Sequence, residues 1–155
     1  MRAELINPFL KATVSTFSTM VNTSPTPGKP YVKVEPGLTH DVSGIIGLSG
    51  GAKGAVIISF PSGTALTTVS AFIGAPVTKV DADVTDAVGE LANIIAGAAK
   101  ADLSGLNVNI SLPSVVVGTN HKVNTPKDIP SVVIPFACTH GDFVVEVCIA
   151  LTESK

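Results

Sequence analysis

The alternation of apolar and polar residues near the C-terminal end constrains the fold more than any other feature of the sequence. In two stretches, Ser131–Thr139 and Asp142–Leu151, every second residue is apolar, which is the period of a β-strand with one buried face. With a two-residue turn at positions 140 and 141, the two stretches pair as an antiparallel hairpin. One face of this hairpin then belongs to the core, and the other carries Glu146 and Cys148.

The pairing of this hairpin separates the two cysteines of the chain. Cys138 lies opposite Phe143 and Cys148 lies opposite Val133, so the sulfur atoms are about 17 Å apart at ~3.4 Å per residue. A disulfide spans a far shorter distance, so we expect two free thiols, as in a reducing cytosol. The first residues also lack the charged-then-apolar order of a signal peptide. Both observations predict a cytoplasmic protein.

The remaining segments predict helices before and between two groups of strands. A first helix begins at Asn7 as N-cap, with Pro8 in its first turn, and ends near Asn22. Further strands are expected at Tyr31–Glu35, His40–Leu48, Gly54–Phe60, Asn107–Leu112 and Val115–Val117. Two more helices are expected from Pro61-Ser62 to Ile73 and over Val84–Ala101, the latter capped by Asp83 or Asp81 with Asp86 in its first turn. The order αβββααβββ predicts an α+β fold, with an antiparallel sheet packed against long helices in one domain over residues 1–155.

The balance of charges disfavours two classes of partner. Ten Lys and Arg against twelve Asp and Glu give a net charge of -2, and no segment gathers the basic residues into the stripe that a phosphate backbone requires. The longest apolar runs are far shorter than the ~20 residues that span a bilayer. Neither nucleic acid nor a membrane is therefore an expected partner. The low charged fraction of 14% favours a surface for self-association instead.

Two patterns that often carry chemistry have simpler interpretations here. Residues 47–51, Gly-Leu-Ser-Gly-Gly, match the G-x-S-x-G nucleophile elbow, which requires a strand that turns into a helix. Since a second strand follows, we interpret Ser49 as part of a hairpin turn. His40, His121 and His140 lack the spacing of metal ligands, so no metal site is expected.

The helix over Val84–Ala101 has two contrasting faces. Its core stripe is predicted to contain Val84, Val88, Leu91, Ile95 and Ala98. The opposite stripe contains Asp86, Glu90, Asn93 and Gly97, with Gly89 beside it. Two glycines inside a helix cost about 1 kcal/mol each relative to alanine, so close approach of a partner would explain them. Glu90 and Asn93 then project side by side, although the spacing alone is more typical of a solvated helix face, where a carboxylate and an amide are common.

A longer pattern surrounds this pair. Residues 86–93 read Asp-Ala-Val-Gly-Glu-Leu-Ala-Asn, and small residues dominate positions 94–100. Further landmarks are Ile6-Asn7-Pro8-Phe9, Asp41-Val42-Ser43-Gly44, Lys53-Gly54, Leu112-Pro113-Ser114, Ile134-Pro135-Phe136 and Gly141-Asp142-Phe143. Together they resemble the CheX branch of the CheC, CheX and FliY chemotaxis phosphatases, whose helix motif is D/S-x-x-x-E-x-x-N. The resemblance covers nearly the whole chain.

The resemblance implies a CheC/CheX-like fold and a phosphatase that acts on the aspartyl phosphate of a CheY-like response regulator. It assigns Asn93 to the placement of the attacking water and Glu90 to contact with the active-site lysine of the regulator. Asp86, Gly89 and Gly97 would contact the partner. Mg²⁺ would come with the regulator, so no cofactor of the chain's own is implied, and the resemblance also implies a homodimer formed through the sheets.

Two alternatives stay open beside this hypothesis. The chain could be a non-catalytic module that binds a response regulator, or a structural subunit like the switch-associated members of the superfamily. Glu4-Leu5-Ile6-Asn7 is a second E-x-x-N, and CheC-like relatives carry two active helices. We predict that this copy is inactive, because Asn7 would cap its helix, and because one site per chain is the CheX pattern.

Overall fold

A computed structural model of the chain describes residues 3–33, 40–119, 121 and 123–152. The helices are α1 (Ala3–Met20), α2 (Ser62–Ile73) and α3 (Ala82–Asp102), followed by a single 3₁₀ turn over Ser104–Leu106. The strands are β1 (Thr26–Pro27), β2 (Tyr31–Lys33), β3 (Val42–Gly50), β4 (Ala52–Phe60), β5 (Val108–Ile110), β6 (Ser114–Val117), β7 (Ser131–Cys138) and β8 (Gly141–Leu151). The predicted α+β class is confirmed. The two-residue β1 was not predicted, and residues 34 and 35 of the predicted strand Tyr31–Glu35 lie outside the described residues.

All strands form one antiparallel sheet in the order β1-β7-β8-β4-β3-β5. Strand β2 also pairs with β7, and β6 pairs with β3 beside β5. The central β3–β4 hairpin turns at Gly50 and Gly51, where Gly50 has a φ of 87° and no residue with a side chain fits easily. Ser49 is an exposed residue of β3, paired with Asn109, and β4 follows directly after the turn. The prediction that Ser49 belongs to the turn is therefore wrong, because the turn falls at Gly50 and Gly51, but a strand follows it as predicted and no nucleophile elbow is formed at Ser49.

The three helices cover one face of the sheet, and aromatic rings join the two layers. Phe17 of α1 stacks on Phe143 of β8 with ring centroids 4.6 Å apart. Phe60 and Phe136 contact the same Phe143 ring from β4 and β7, at 5.3 and 5.2 Å. All four side chains are buried, so this cluster fixes α1 to the sheet.

Helix α1 begins four residues earlier than predicted. Asn7 is not the N-cap, because the helix already starts at Ala3 and contains Pro8 in its interior. The reason is burial: Leu5 and Ile6 are 5% and 7% exposed, so the apolar face that stabilises the helix extends upstream of the proline.

The β7–β8 hairpin has the predicted faces but a different pairing. Cys138 lies opposite Gly141 and Cys148 lies opposite Ser131, so the turn falls at residues 139 and 140 and the pairing is shifted by two residues. A shift of two keeps every side chain on its predicted face. Both cysteines are free, as expected.

The outer face of the sheet is more buried than its polar residues suggested. Glu146 and Cys148 point away from the helices, yet they are only 3% and 0% exposed. Lys33 of β2 approaches within 3.0 Å of Glu146 Oε1, and Ile129 of the β6–β7 connection accepts a long hydrogen bond from Cys148 Sγ. Strand β2 and this connection therefore cover part of the second face.

Candidate functional site

Helix α3 carries the predicted site residues and is held at both ends. Asp81 is the N-cap, with Oδ1 accepting from the backbone N–H of Val84 at 3.2 Å, so Asp81 and not Asp83 caps the helix. Because α3 starts at Ala82, Asp86 lies in the second turn and not in the first. At the other end, the N–H of Leu103 donates to the carbonyl of Lys100 at 2.9 Å.

The inner face of α3 lies directly on the sheet. Val84, Val88, Leu91 and Ile95 are all buried, as predicted. Ala98 is exposed, contrary to prediction. Ala92, Ala96 and Ala99 are buried as well, because α3 packs both on β3 and against α1. The buried stripe is therefore wider than predicted.

The outer face of α3 presents the predicted polar residues to solvent. Asp86 and Glu90 are exposed, and Asn93 and Gly97 are partly exposed. Side chains three or four residues apart on a helix are about 5–6 Å apart at Cβ, so the carboxylate of Glu90 and the amide of Asn93 are neighbours. In the described part of the chain, neither side chain makes a hydrogen bond or an ion pair. Both groups are thus available to a molecule that approaches this face.

The two glycines of this helix have different environments. Gly89 is buried, and a Cβ added there would lie 3.2 Å from Val115 Cγ2 and 3.5 Å from Pro113 Cβ. The expectation that Gly89 lies on the bare face is wrong, because the connection from β5 to β6 packs against it. A Cβ on Gly97 would meet no atom within 4 Å, so the surface at Gly97 is open.

A shallow groove of about 350 Å³ continues the open surface beyond Gly97. Gly97, Lys100, Ala101, Asn107 and Val108 line it. The only full charge in this lining belongs to Lys100, so the face changes from acidic at Asp86 and Glu90 to basic at its C-terminal end.

The second E-x-x-N lies on α1 and not at a cap. Glu4 and Asn7 are both helical and exposed, so the argument that Asn7 caps the helix is wrong. The prediction that this copy is inactive now rests on the resemblance alone.

Two of the three histidines join one hydrogen-bond network, and the third lies elsewhere. His121 Nε2 is 2.7 Å from Ser43 Oγ, which is 2.8 Å from Ser59 Oγ, and Ser59 Oγ accepts from the backbone N–H of His40 at 3.0 Å. His140 Nε2 lies 3.0 Å from the carbonyl of Val21. Across residues 3–33, 40–119, 121 and 123–152, no three His, Cys, Asp or Glu side chains come together as metal ligands do.

The buried cysteine is not a candidate nucleophile. Burial raises the pKa of the Cys148 thiol, with a smaller increase from the nearby Glu146 and a partial offset from hydrogen bonding to Ser131. The thiol is therefore less able to form the reactive thiolate at neutral pH.

Sequence reasoning missed one exposed residue beside α3. Leu112 was assigned to the end of a strand, but β5 ends at Ile110 and the Leu112 side chain is 86% exposed. The available signal was its position directly before Pro113, which favours an extended corner over a paired strand.

Among the described helices, none is both long and apolar enough to cross a membrane.

Comparison with known proteins places this arrangement in a family. A family model described as "Chemotaxis phosphatase CheX" matches residues 42–137, which include all of α3. The "CheY-P phosphatase CheX" of Thermotoga maritima is 34% identical over 128 residues, or 81% of this chain and 83% of that protein.

Solved structures agree in fold. The CheC-like superfamily protein of Shewanella sp. PV-4 superimposes with a TM-score of 0.90 and 35% identity, over 97% of this chain and 99% of that one. The complex of CheX with CheY, BeF3 and Mg²⁺ from Borrelia burgdorferi matches with a TM-score of 0.78 and 29% identity, over 96% and 99% of the two chains.

Proposed function

Since the chain belongs to the CheX family of chemotaxis phosphatases, we propose that it hydrolyses the aspartyl phosphate of a CheY-like response regulator. The observation that carries this proposal is the pair of Glu90 and Asn93 on the solvent face of α3, with no intramolecular partner among the described residues. The Borrelia burgdorferi complex supports the choice of partner, because there a CheX protein is bound to CheY.

Asn93 would orient the attacking water. Its amide oxygen accepts a hydrogen bond from water and does not titrate near neutral pH, so it can hold the water in line with the phosphorus–oxygen bond. The water oxygen attacks phosphorus, the bond to the regulator's aspartate breaks, and the carboxylate leaves. The oxygen and both protons of the water end on the released phosphate.

Glu90 would anchor the helix on the regulator. Its carboxylate would form a charge-assisted hydrogen bond with the active-site lysine of the partner, which is stronger than a bond between neutral groups. Asn93 lies one turn further along the same helix, so this contact would also set the position of the amide.

The remaining face residues would let α3 approach closely. Gly97, one turn beyond Asn93, leaves open space where a side chain would stand. Asp86 would add a second acidic group one turn before Glu90. Gly89, which we predicted to contact the partner, would act indirectly by allowing the β5–β6 connection to pack beside the site. The regulator would bring its own Mg²⁺, as in the Borrelia burgdorferi complex, which contains the ion.

The rate of phosphate loss from a CheY-like regulator tests the proposal. The regulator is phosphorylated, and its decay is followed with the protein, with the Asn93→Ala variant, and alone. The wild type should accelerate the decay at substoichiometric amounts. Acceleration that required one protein per regulator, or no acceleration with clear binding, would support the alternative of a non-catalytic binding module.

Three further properties belong to this proposal. One domain over residues 1–155 is supported by a core cluster that extends from Leu5 in α1 to Ile149 in β8. A homodimer is supported by the family resemblance and by exposed apolar residues on edge strands, such as Tyr31 and Val32 on β2 and Val117 on β6. A cytoplasmic location is supported by the free thiols of both cysteines.

A further inference from the structure

Leu112 is the most exposed large apolar side chain in the described part of the protein. It is 86% exposed, whereas the next, Val32, is 55% exposed. A single exposed leucine is common on protein surfaces, so its exposure alone assigns no role. Its position and its rigid support distinguish it.

The corner that carries Leu112 is fixed to the sheet by hydrogen bonds on its inner side. The N–H of Ser111 donates to the carbonyl of Gly47 at 2.9 Å, and Ser111 Oγ accepts from the N–H of Gly47 at 2.8 Å. The same hydroxyl donates to the carbonyl of Leu112 at 2.8 Å. Proline at position 113 restricts the backbone on the other side, so the leucine is presented from a corner with little freedom to lose on binding.

The corner lies against α3 at the centre of the candidate site. Val115 Cγ2 and Pro113 Cβ lie 3.2 and 3.5 Å from the position that a Cβ of Gly89 would occupy. Gly89 directly precedes Glu90 and lies one turn from both Asp86 and Asn93. Leu112 directly precedes Pro113, so the corner that carries it borders the part of α3 from which Glu90 and Asn93 project.

We propose that Leu112 is an apolar anchor for the receiver domain of the response regulator, a role that rests on the function proposed above. The regulator surface that fits this site has an apolar patch beside its active-site lysine, to match an exposed leucine next to Glu90. An apolar side chain on a fixed backbone that becomes desolvated on binding contributes to affinity, because little backbone freedom is lost when the complex forms. Its contribution is made to binding and not to the chemical step.

The test measures binding of a CheY-like regulator held in its active form with Mg²⁺ and beryllium trifluoride, which permits no hydrolysis. Leu112→Ala should raise the dissociation constant about tenfold, and Leu112→Asp should raise it further. Met20→Ala is the matched control, since Met20 is an exposed apolar residue at the C-terminal end of α1, and its dissociation constant should equal that of the wild type. Thermal unfolding of all three variants should match the wild type, because neither side chain is buried.

Rates of phosphate release separate this inference from the proposed function. With the phosphorylated regulator, Leu112→Ala should raise KM and leave kcat unchanged, whereas Asn93→Ala should lower kcat. If the wild type binds but does not hydrolyse, the proposed function fails while the anchor is still tested by binding. Unchanged binding by Leu112→Asp overturns the anchor, as does a wild type that does not bind the regulator. A change in oligomeric state without a change in binding also overturns it and assigns Leu112 to contact between copies of the chain.

Discussion

Gly44 of β3 lies directly beneath Ala92 of α3, so close that a Cβ on Gly44 would stand 3.0 Å from the Cβ of Ala92 and 3.2 Å from the carbonyl oxygen of Val88. The helix that carries Glu90 and Asn93 therefore rests on the sheet at a point where only glycine fits without movement. The position of the candidate site depends on this contact.

We expect Gly44→Val to displace α3 outward. Overpacking of this kind costs about 1–3 kcal/mol of unfolding free energy, and a shift of the helix should slow phosphate release more than the loss of stability explains. Chemical denaturation and the rate of phosphate release measure the two effects. Gly63→Ala is the control, because a Cβ at Gly63 meets no atom within 4 Å. Unchanged activity of Gly44→Val would contradict the dependence of the site on the contact between Gly44 and Ala92.

The two glycines of α3 should respond to alanine in opposite directions. Gly97→Ala should stabilise the protein by up to ~1 kcal/mol, since alanine is the better helix former and the space is open. Gly89→Ala should gain less or lose stability, because its Cβ would crowd Val115 at 3.2 Å. Urea unfolding of both variants gives the comparison, and equal stabilisation at both positions would be inconsistent with this packing.

Substitution of Asn93 should mainly affect the rate of hydrolysis, whereas substitution of Glu90 should affect both binding and rate. Asn93→Ala should slow hydrolysis by about 10²-fold with regulator binding nearly intact. Glu90→Ala should weaken binding by about 1–3 kcal/mol and lower the rate as well. Steady-state rates and binding to the beryllium trifluoride form of the regulator measure the two parts.

Asn7→Ala is the matched control for Asn93→Ala, since Asn7 is the exposed asparagine of the second E-x-x-N, on α1. It should have wild-type activity if each chain has one site. The hypothesis is falsified if Asn93→Ala retains full activity on a regulator that the wild type dephosphorylates, and loss of activity in Asn7→Ala would indicate a second active helix.

The oligomeric state should be a dimer that does not depend on oxidation. Light scattering at tens of micromolar protein should give twice the mass of the chain, with or without reductant, because both cysteines are free thiols and no disulfide is needed. A monomer at that concentration, or a dimer that dissociates in reductant, would argue against the proposed assembly.

Replacing only one partner of the Lys33–Glu146 ion pair should lower the free energy of unfolding. Its atoms are 3.0 Å apart, with side chains 16% and 4% exposed, and Glu146 Oε2 has no hydrogen-bond partner among the described residues. Lys33→Met leaves a buried carboxylate without its cation, which should cost about 3 kcal/mol or more of unfolding free energy. Lys33→Met combined with Glu146→Leu should recover most of that loss in denaturant titrations, and a double variant as unstable as the single one would contradict the argument.

Local sequence patterns were sufficient where a structure depends on its own residues. The alternation in β7 and β8 predicted the buried face of the hairpin, and the 3.6-residue period with Asp81 nearby predicted α3 and its outer face with Glu90 and Asn93. In each case the hydrophobic period and the capping side chain lie within the element itself. The outcome therefore did not depend on which neighbour came to pack against it.

The tertiary structure decided whatever depends on contacts between distant segments. Gly89 is buried because Pro113 and Val115, more than twenty positions later, pack on it, and nothing near Gly89 in the sequence indicates that contact. Helix α1 extends upstream of Asn7 because Leu5 and Ile6 are buried in the folded core, which outweighs the local preference for a cap before Pro8. Burial free energy comes from surfaces that meet only in the folded chain, so the sequence predicted the helix and its polar face, whereas folding decided what lies beside that face.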